Sequence, residues 1–358
     1  TNGGDYMKTF AEILTAMLAR IPGKYDKREG SFIYDSVAPV AQELEDTHQS
    51  LEDVKEKLDI ENLEGDELAT FVYQRTGITR LPATRAAGEL TVTGNGTVNE
   101  GDLFETESGI QFEATETVII ATSGTASIQA VEAGPNGNVP AEQITLMPIT
   151  IQGITAVINE EPTIDGFEAE SDAALLARYY ERRRTPATSG NKAHYINWAK
   201  EVAGVGNAKA YPLWNGDNTV KVRIIDADKQ PASAGLVDLV QEYIDPLSAG
   251  LGEGQAPIGA YCTVESAAAL PINVVVTIVK DTSVDDVTRQ ANVEDALTAY
   301  LADIAFVSDY VGYGNIGSAI LASAGVEGYE NLTVNGGTSN VAIGDTEVAI
   351  LGTVTLNE

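Results

Sequence analysis

The chain has 358 residues, too many for one hydrophobic core, because single cores stop growing at roughly 250–300 residues; two to four domains are expected. A net charge of −31, from 22 basic and 53 acidic residues, repels phosphate backbones and argues against direct nucleic-acid binding. No apolar run reaches the ~20 residues that span a bilayer, the start TNGGDYMKTF lacks the basic-then-apolar order of a signal peptide, and the single cysteine, Cys262, excludes an internal disulfide.

Residues 5–21 place Tyr6, Phe10, Ile13, Leu14, Met17, Leu18 and Ile21 on one stripe of a helix, which Pro22-Gly23 ends. A second helix follows, with Asp35 as its expected cap and Pro39 tolerated near its first turn. Val37, Leu44, Leu51 and Leu58 recur every seven residues along it, with Val40, Thr47 and Val54 between them. This is the seam of a coiled coil or helical bundle, on a helix whose other faces are crowded with Asp and Glu. Two partners fit it: an intramolecular hairpin with residues 5–21 and 66–76, or a helix of another chain. A short helix from Asp66 to Thr76 stops at Gly77.

After the linker Pro82–Gly88 the pattern changes to short alternating runs between Leu90 and Asn159, punctuated by Gly, Asn and Pro. They predict an antiparallel β-domain. Helices return at 171–184 and 190–202, then strands at Tyr211–Leu213, Thr219–Ile225 and Tyr261–Glu265 around a helix at Ala234–Tyr243. The rest reads as strand Ile272–Val279, helices Val284–Leu301 and Gly314–Ala322, and strands Leu332–Val334 and Glu347–Leu351. The fold class is therefore α+β and multidomain: a helical region (1–81), a β-rich domain (82–160), an α+β domain (161–270) and a C-terminal α+β domain (271–358). The run WAKEVAGVGNAKAY (198–211) echoes ILASAGVEGYENLTV (320–334), either as two related α+β modules or as chance reuse of a helix C-cap followed by a strand.

Catalytic chemistry is hard to find. There is no phosphate-binding G-x-x-x-x-G-K-[ST], and GNGTVNEG (94–101) reads as a hairpin turn. His48 and His194 have no metal-type partner at i+4, and no second cysteine exists for a zinc site. No G-x-S-x-G supports a serine nucleophile. The acidic run DGFEAESD (165–172) lacks the D-x-D-x-D-G calcium loop. Paired carboxylates could serve a glycan hydrolase, but only Trp198 and Trp214 are available as indole sugar platforms. No catalytic residue, metal or cofactor is assigned. Arg178, Arg182, Arg183 and Arg184 form the one dense basic cluster, either a solvated helix end or a dock for a neighbouring subunit's carboxylates.

Six stretches in order resemble the baseplate J-like family of contractile phage tails, tailocins and related injection systems. They are REGSFIYD (28–35), TGITRLPATRAAGELTVTG (76–94), EAGPNGNVPAEQI (132–144), INEEPTIDGFEAESDAALLARYYERR (158–183), SGNKAHYINWAKEVAGVGNAKAYP (189–212) and DTEVAILGTVTL (345–356). Two positions depart from the family pattern: Asp165-Gly166 stands where Gly-Gly is common, and Leu176 where Arg is common. The resemblance implies a structural wedge subunit and not an enzyme. Its implied partners are a second copy within a wedge, six wedges in a ring around the tail hub, a second wedge protein joined through a helical bundle, and other hub and sheath-proximal proteins. It places the protein in the virion's tail baseplate, assembled in the host bacterial cytoplasm, where it would help transmit the trigger for sheath contraction. The bundle element would be the heptad helix, and the C-terminal modules would make wedge-to-wedge contacts. A tail-associated glycan hydrolase and a cell-surface adhesin are the competing classes.

Overall fold

The computed structural model describes residues 8–185, 188 and 190–357; Tyr6 and Ser189 of the motifs above lie outside them. The chain divides into two compact units, Thr1–Thr79 with Ser171–Tyr180, and Arg80–Glu170 with Glu181–Glu358.

In the first unit, helix α1 (Phe10–Arg20) starts in a capping box, in which the Thr9 hydroxyl accepts the Glu12 N–H and the Glu12 carboxylate accepts the Thr9 N–H. Helix α2 (Phe32–Glu56) is capped by Ser31, whose hydroxyl accepts the Tyr34 N–H at 3.2 Å. The expected cap, Asp35, lies instead in the first turn, where its charge meets the positive end of the helix dipole. The helix thus starts earlier than expected and Pro39 falls well inside it, depriving the Asp35 carbonyl of its helical donor. Ile13, Leu14 and Ala41 are buried between α1 and α2, with Phe10, Met17, Tyr34 and Val37 packed around them.

Helix α3 (Gly65–Thr76) ends at Gly77, which adopts the left-handed φ of 73° that a glycine takes most readily. It packs not on α2's apolar seam but on helix α4 (Asp172–Arg184), with Leu68 and Val72 buried against Leu175 and Tyr179. Of the intramolecular alternative, the contact of α2 with α1 is present, whereas residues 66–76 pair with α4 instead. Asp172 begins α4 and accepts the Gly65 N–H at 3.0 Å, tying two helix starts together.

The second unit opens with the predicted antiparallel β-domain. Its strands are β1 (Ala87–Val98), β2 (Leu103–Thr106), β3 (Gln111–Ala114), β4 (Val118–Ala130), β5 (Ile144–Leu146) and β6 (Ile154–Ile158), in the order β5-β2-β3-β4-β1-β6. The sheet curls until β5 nears β6, and Asn159 closes the seam. Fully buried, it accepts the Ile144 N–H at 2.8 Å and donates to the carbonyls of Pro140 and Glu161 at 2.9 Å. Leu90, Val92, Phe104, Phe112, Ile120 and Ile128 fill the interior.

The glycines of GNGTVNEG do not make a hairpin turn. Gly94 and Gly96 are inside β1, and a Cβ on either would stand 2.2 Å from the carbonyl oxygen of Gly153 or Gln152. They are needed where another backbone crosses closely, a demand that period-two reading cannot separate from a turn.

Two α+β modules follow. The central one has strands β7 (Val205–Pro212), β8 (Thr219–Asp226) and β9 (Tyr261–Ser266), with helices α5 (Lys192–Glu201) and α6 (Ala234–Ile244). Its core joins Tyr195 and Trp198 of α5 to Val222 and Ile224 of β8, with Val240 of α6 and Cys262 of β9. The last module has β10 (Ala268–Lys280), α7 (Asp286–Ile304), β11 (Tyr310–Val311), α8 (Tyr313–Ala322), β12 (Val326–Val334), β13 (Val341–Ala342) and β14 (Glu347–Asn357). Sequence patterning missed the two-residue pair β11–β13, too short to carry a period.

The sequence echo has a structural counterpart. In each module a helix, a left-handed glycine (Gly204, φ 94°; Gly325, φ 93°) and an edge strand follow one another. Val205 N–H donates to Val202 O, and Val326 N–H to Ser323 O, both at 3.2 Å. In each, that edge strand runs antiparallel to the central strand and the opposite edge runs parallel to it, giving orders β7-β8-β9 and β12-β10-β14. The chain order differs: the helix–glycine–strand unit precedes β8 but follows β10 and its helix α7.

Candidate functional site

The heptad positions divide along α2. Val37 is half-buried against α1, whereas Leu44 is 40%, Leu51 61% and Leu58 78% exposed. Val40 and Val54, the intermediate positions, are 48% and 59% exposed. Leu58 lies just past the helical span, in the turn after the Lys57 cap, so the helical part of the stripe ends at Val54.

Length explains the division. At 1.5 Å per residue, the 11 residues of α1 reach about 16 Å and the 25 of α2 about 37 Å. The two helices run antiparallel: the Phe10 N–H at the start of α1 donates to the Glu45 carboxylate at 2.8 Å, so α1 lies along the first half of α2 and, among the described residues, does not extend over the second. The acids around the stripe (Glu43, Asp46, Glu52, Asp53) are those of a solvated helix, and the apolar seam between them has the narrow width of a coiled coil.

The arginine cluster is split in use. Arg178 donates to the Thr79 carbonyl at 2.6 Å, and Arg182 lies 3.8 Å from Glu201. Arg183 and Arg184 are exposed in the last turn of α4, where a cation meets the negative helix end.

Groups with chemical potential are engaged structurally. The His194 ring lies against Trp198 with centroids 4.0 Å apart, and its Nδ1 accepts the Gly190 N–H at 3.2 Å. Burial, and then the charge of Arg182, push its pKa down, toward the neutral form. Cys262 is fully buried; desolvation, and then Asp245, push its thiol up to about 12, away from the reactive thiolate. Asp245 itself, 2% exposed, accepts the N–H groups of Gly250 and Cys262 and so holds a loop. Among the described residues no cluster of three or more His, Cys, Asp or Glu has metal-binding geometry.

Asp226 stands out, because burial raises its carboxyl to about 6, with the charges of Asp228 and Asp165 adding to the rise. A carboxyl so raised is a general-acid candidate. Its partner, however, is the Gln230 N–H at 2.7 Å, the closing bond of the β8–α6 turn, while Asp165 is held by the Ser233 hydroxyl at 2.6 Å. The expected consequence is one of stability. A folded-state pKa above the unfolded 3.8 favours the fold at low pH, and that advantage is lost as pH rises through about 6. Asp226→Asn, which keeps an acceptor for Gln230, should melt higher than the parent at pH 8. The difference should vanish near pH 4 in thermal melts.

Comparison with known proteins gives concordant matches. Residues 89–166 match the model of the baseplate J-like protein barrel domain, 187–266 that of the baseplate J-like central domain, and 272–357 that of the baseplate J-like protein C-terminal domain. The phage-like element PBSX protein XkdT of Bacillus subtilis (strain 168) is 36% identical over 354 residues, 98% of each chain. Baseplate protein gp47 of Escherichia phage Mu is 31% identical over 293 residues, 78% of each chain. Among solved structures, a chain of the anti-feeding prophage (AFP) baseplate aligns over 95% of this chain and 90% of its own. The alignment has a TM-score of 0.38 and 11% identity.

Proposed function

The chain belongs to the baseplate J-like family, and from that premise we propose that it is a structural wedge subunit of a contractile-tail baseplate. The observation that carries this reading is the apolar stripe of α2 from Val40 to Val54, exposed among the described residues and set on a helix more than twice as long as α1. A stripe of that width calls for a second helix, and the proposed occupant is a helix of a second wedge protein. Two copies of this chain stand in each wedge and six wedges ring the tail hub, in contact with hub and sheath-proximal proteins. Exposed in the last turn of α4, Arg183 and Arg184 would be the part of the arginine cluster that meets carboxylates of a neighbouring subunit. The protein works in the virion's tail baseplate after assembly in the host cytoplasm, and rearrangement of the ring transmits the trigger for sheath contraction.

The test is co-expression with the product of the neighbouring tail gene, followed by gel filtration with light-scattering mass. A stable complex with two copies of this chain per partner is expected. A chain that ignores its neighbour, and instead cleaves cell-wall glycan or binds cells by itself, would replace this reading with one of the competing classes.

A further inference from the structure

The sequence holds five Asn-Gly pairs, at Asn2, Asn95, Asn136, Asn215 and Asn335; the first lies outside the described residues. An asparagine followed by glycine is prone to lose its side-chain amide. Glycine has no Cβ to shield its own backbone nitrogen, and its free main chain lets that nitrogen turn onto the asparagine's side-chain carbon. In a folded chain the reaction needs water at the site, an unheld side-chain amide and an unheld glycine N–H. The fold treats the four described pairs differently on each count.

Three pairs are held. Asn95 and Gly96 lie inside β1, opposite Ala121 and Ile120 of β4. The Asn95 N–H donates to the Gly153 carbonyl at 2.7 Å, and a Cβ on Gly96 would stand 2.2 Å from the Gln152 carbonyl oxygen, so the main chain cannot rotate there without breaking the strand. Gly137, after Asn136, is buried at the end of the short 3-10 turn Pro135–Gly137, and its N–H donates to the Gly134 carbonyl at 3.3 Å. The Asn335 side chain is engaged at both ends: Oδ1 accepts the Asn273 N–H at 2.7 Å, and Nδ2 donates to the Pro271 carbonyl at 3.2 Å.

Asn215 lacks these restraints. It and Gly216 are exposed in the turn between β7 and β8. The turn is tied through its main chain and the Thr219 hydroxyl, which accepts the Asn215 N–H at 3.1 Å and donates to the Gly216 carbonyl at 2.7 Å. Among the described residues, no hydrogen bond engages the Asn215 side-chain amide or the Gly216 N–H. Gly216 has a φ of 97°, and nothing stands within 4 Å of the place a Cβ would take, so the turn is open around it.

We propose that Asn215 is a site of spontaneous deamidation, the one pair among the four described that the folded chain leaves reactive. The Gly216 nitrogen gives up its proton and attacks the Asn215 side-chain carbonyl carbon. A C–N bond forms there, the bond to Nδ2 breaks, and that nitrogen leaves as ammonia. Water then opens the cyclic imide at either of its carbonyls, giving aspartate or isoaspartate. Nothing is oxidised or reduced, and water is the co-reactant. The product adds a negative charge beside Asp217. In the isoaspartate form it also lengthens the main chain by a carbon just after Trp214, whose ring carries the Lys221 ammonium 3.6 Å from its centroid. In an assembly whose subunits are not replaced, such a change accumulates with age. The inference does not depend on the wedge reading.

The experiment incubates the full chain at mildly alkaline pH in water enriched in heavy oxygen, followed by peptide mass spectrometry over time. Heavy oxygen marks only the residues converted during the incubation. Tryptic peptide 210–221 should take up the label at Asn215, with fragment ions separating it from Asn218. Asn95, Asn136 and Asn335 should convert at least about tenfold more slowly, because each must first open locally. In strong denaturant the four rates should converge. Asn215→Gln, which would have to close a larger ring, should leave the peptide unlabelled. Conversion of Asn215 no faster than that of the three held residues in the folded chain would overturn the proposal. So would label that persists in Asn215→Gln, which would place the reaction at Asn218.

Discussion

Replacing Arg289 by alanine should accelerate amide exchange in β10 and α7 by roughly a thousandfold, about 4 kcal/mol of local stability, while the barrel and the central module keep their protection. Arg289 is 2% exposed in the first turn of α7. Its guanidinium donates to the carbonyls of Gly325 (2.7 Å), Asp281 (2.9 Å) and Val284, and to the carboxylate of Asp286. Three main-chain acceptors from two loops therefore depend on one side chain. Each buried carbonyl left without a donor costs about 1–3 kcal/mol, and the emptied volume adds to that. Arg289→Lys should recover only part of the loss, because an ammonium cannot spread its donors over a planar fork. The measurement is hydrogen exchange followed by mass spectrometry. Equal loosening of peptides from 87–158 would mean that the modules unfold as one body and that the contact is not local.

Arg289 also shows why sequence patterning is blind to some determinants. In the chain it reads as one more cation near a helix start, where cations are unfavourable. Only the fold brings the Gly325 carbonyl, 36 residues later, to its Nε atom. The same holds for Asn159, which reads as strand-ending punctuation and proves to be the seam of the barrel. Local signals fared better. The period of Phe10 to Leu18, the left-handed stop at Gly77 and the alternation in β10 each depend on neighbours in sequence, and each element appears where its period places it. The ends were less legible. Ser31 outcompetes Asp35 as the cap because the chain turns at Gly30, with a φ of 83°, a backbone choice that no side-chain period encodes.

The candidate site was legible in outline for the same reason. Heptad spacing marked Val37, Leu44 and Leu51 as one stripe, and α2 carries all three. What the spacing could not give was which half of the stripe α1 covers, since that follows from where α1 begins and how the two helices align. The arginine cluster was visible as composition alone. Its division between Arg178 on the Thr79 carbonyl and Arg182 beside Glu201 depends on tertiary placement. The β14 edge was harder still to see. Glu347–Leu351 reads as a strand, but its extent to Asn357 and whether it is central or at an edge are properties of the sheet.

Leu44→Asp with Leu51→Asp should leave the chain folded and abolish its complex with the neighbouring wedge protein. Both side chains are already largely in water, 40% and 61% exposed, so the isolated chain loses little, within about 1 kcal/mol of its stability. In a bundle the same positions become knobs held in holes of the facing helix. A carboxylate there removes an apolar anchor and must itself be desolvated without a partner, at several kcal/mol per site. Two such sites correspond to a loss of binding of at least about a thousandfold. Val37→Asp is the internal contrast. It faces α1, packed around Ile13, Leu14 and Ala41, and should loosen the α1–α2 hairpin in the free chain. Helicity from circular dichroism and complex mass from light scattering separate the two effects. If the Leu44 and Leu51 pair melts the hairpin as Val37→Asp does, the stripe is internal packing, and the wedge partner must dock elsewhere.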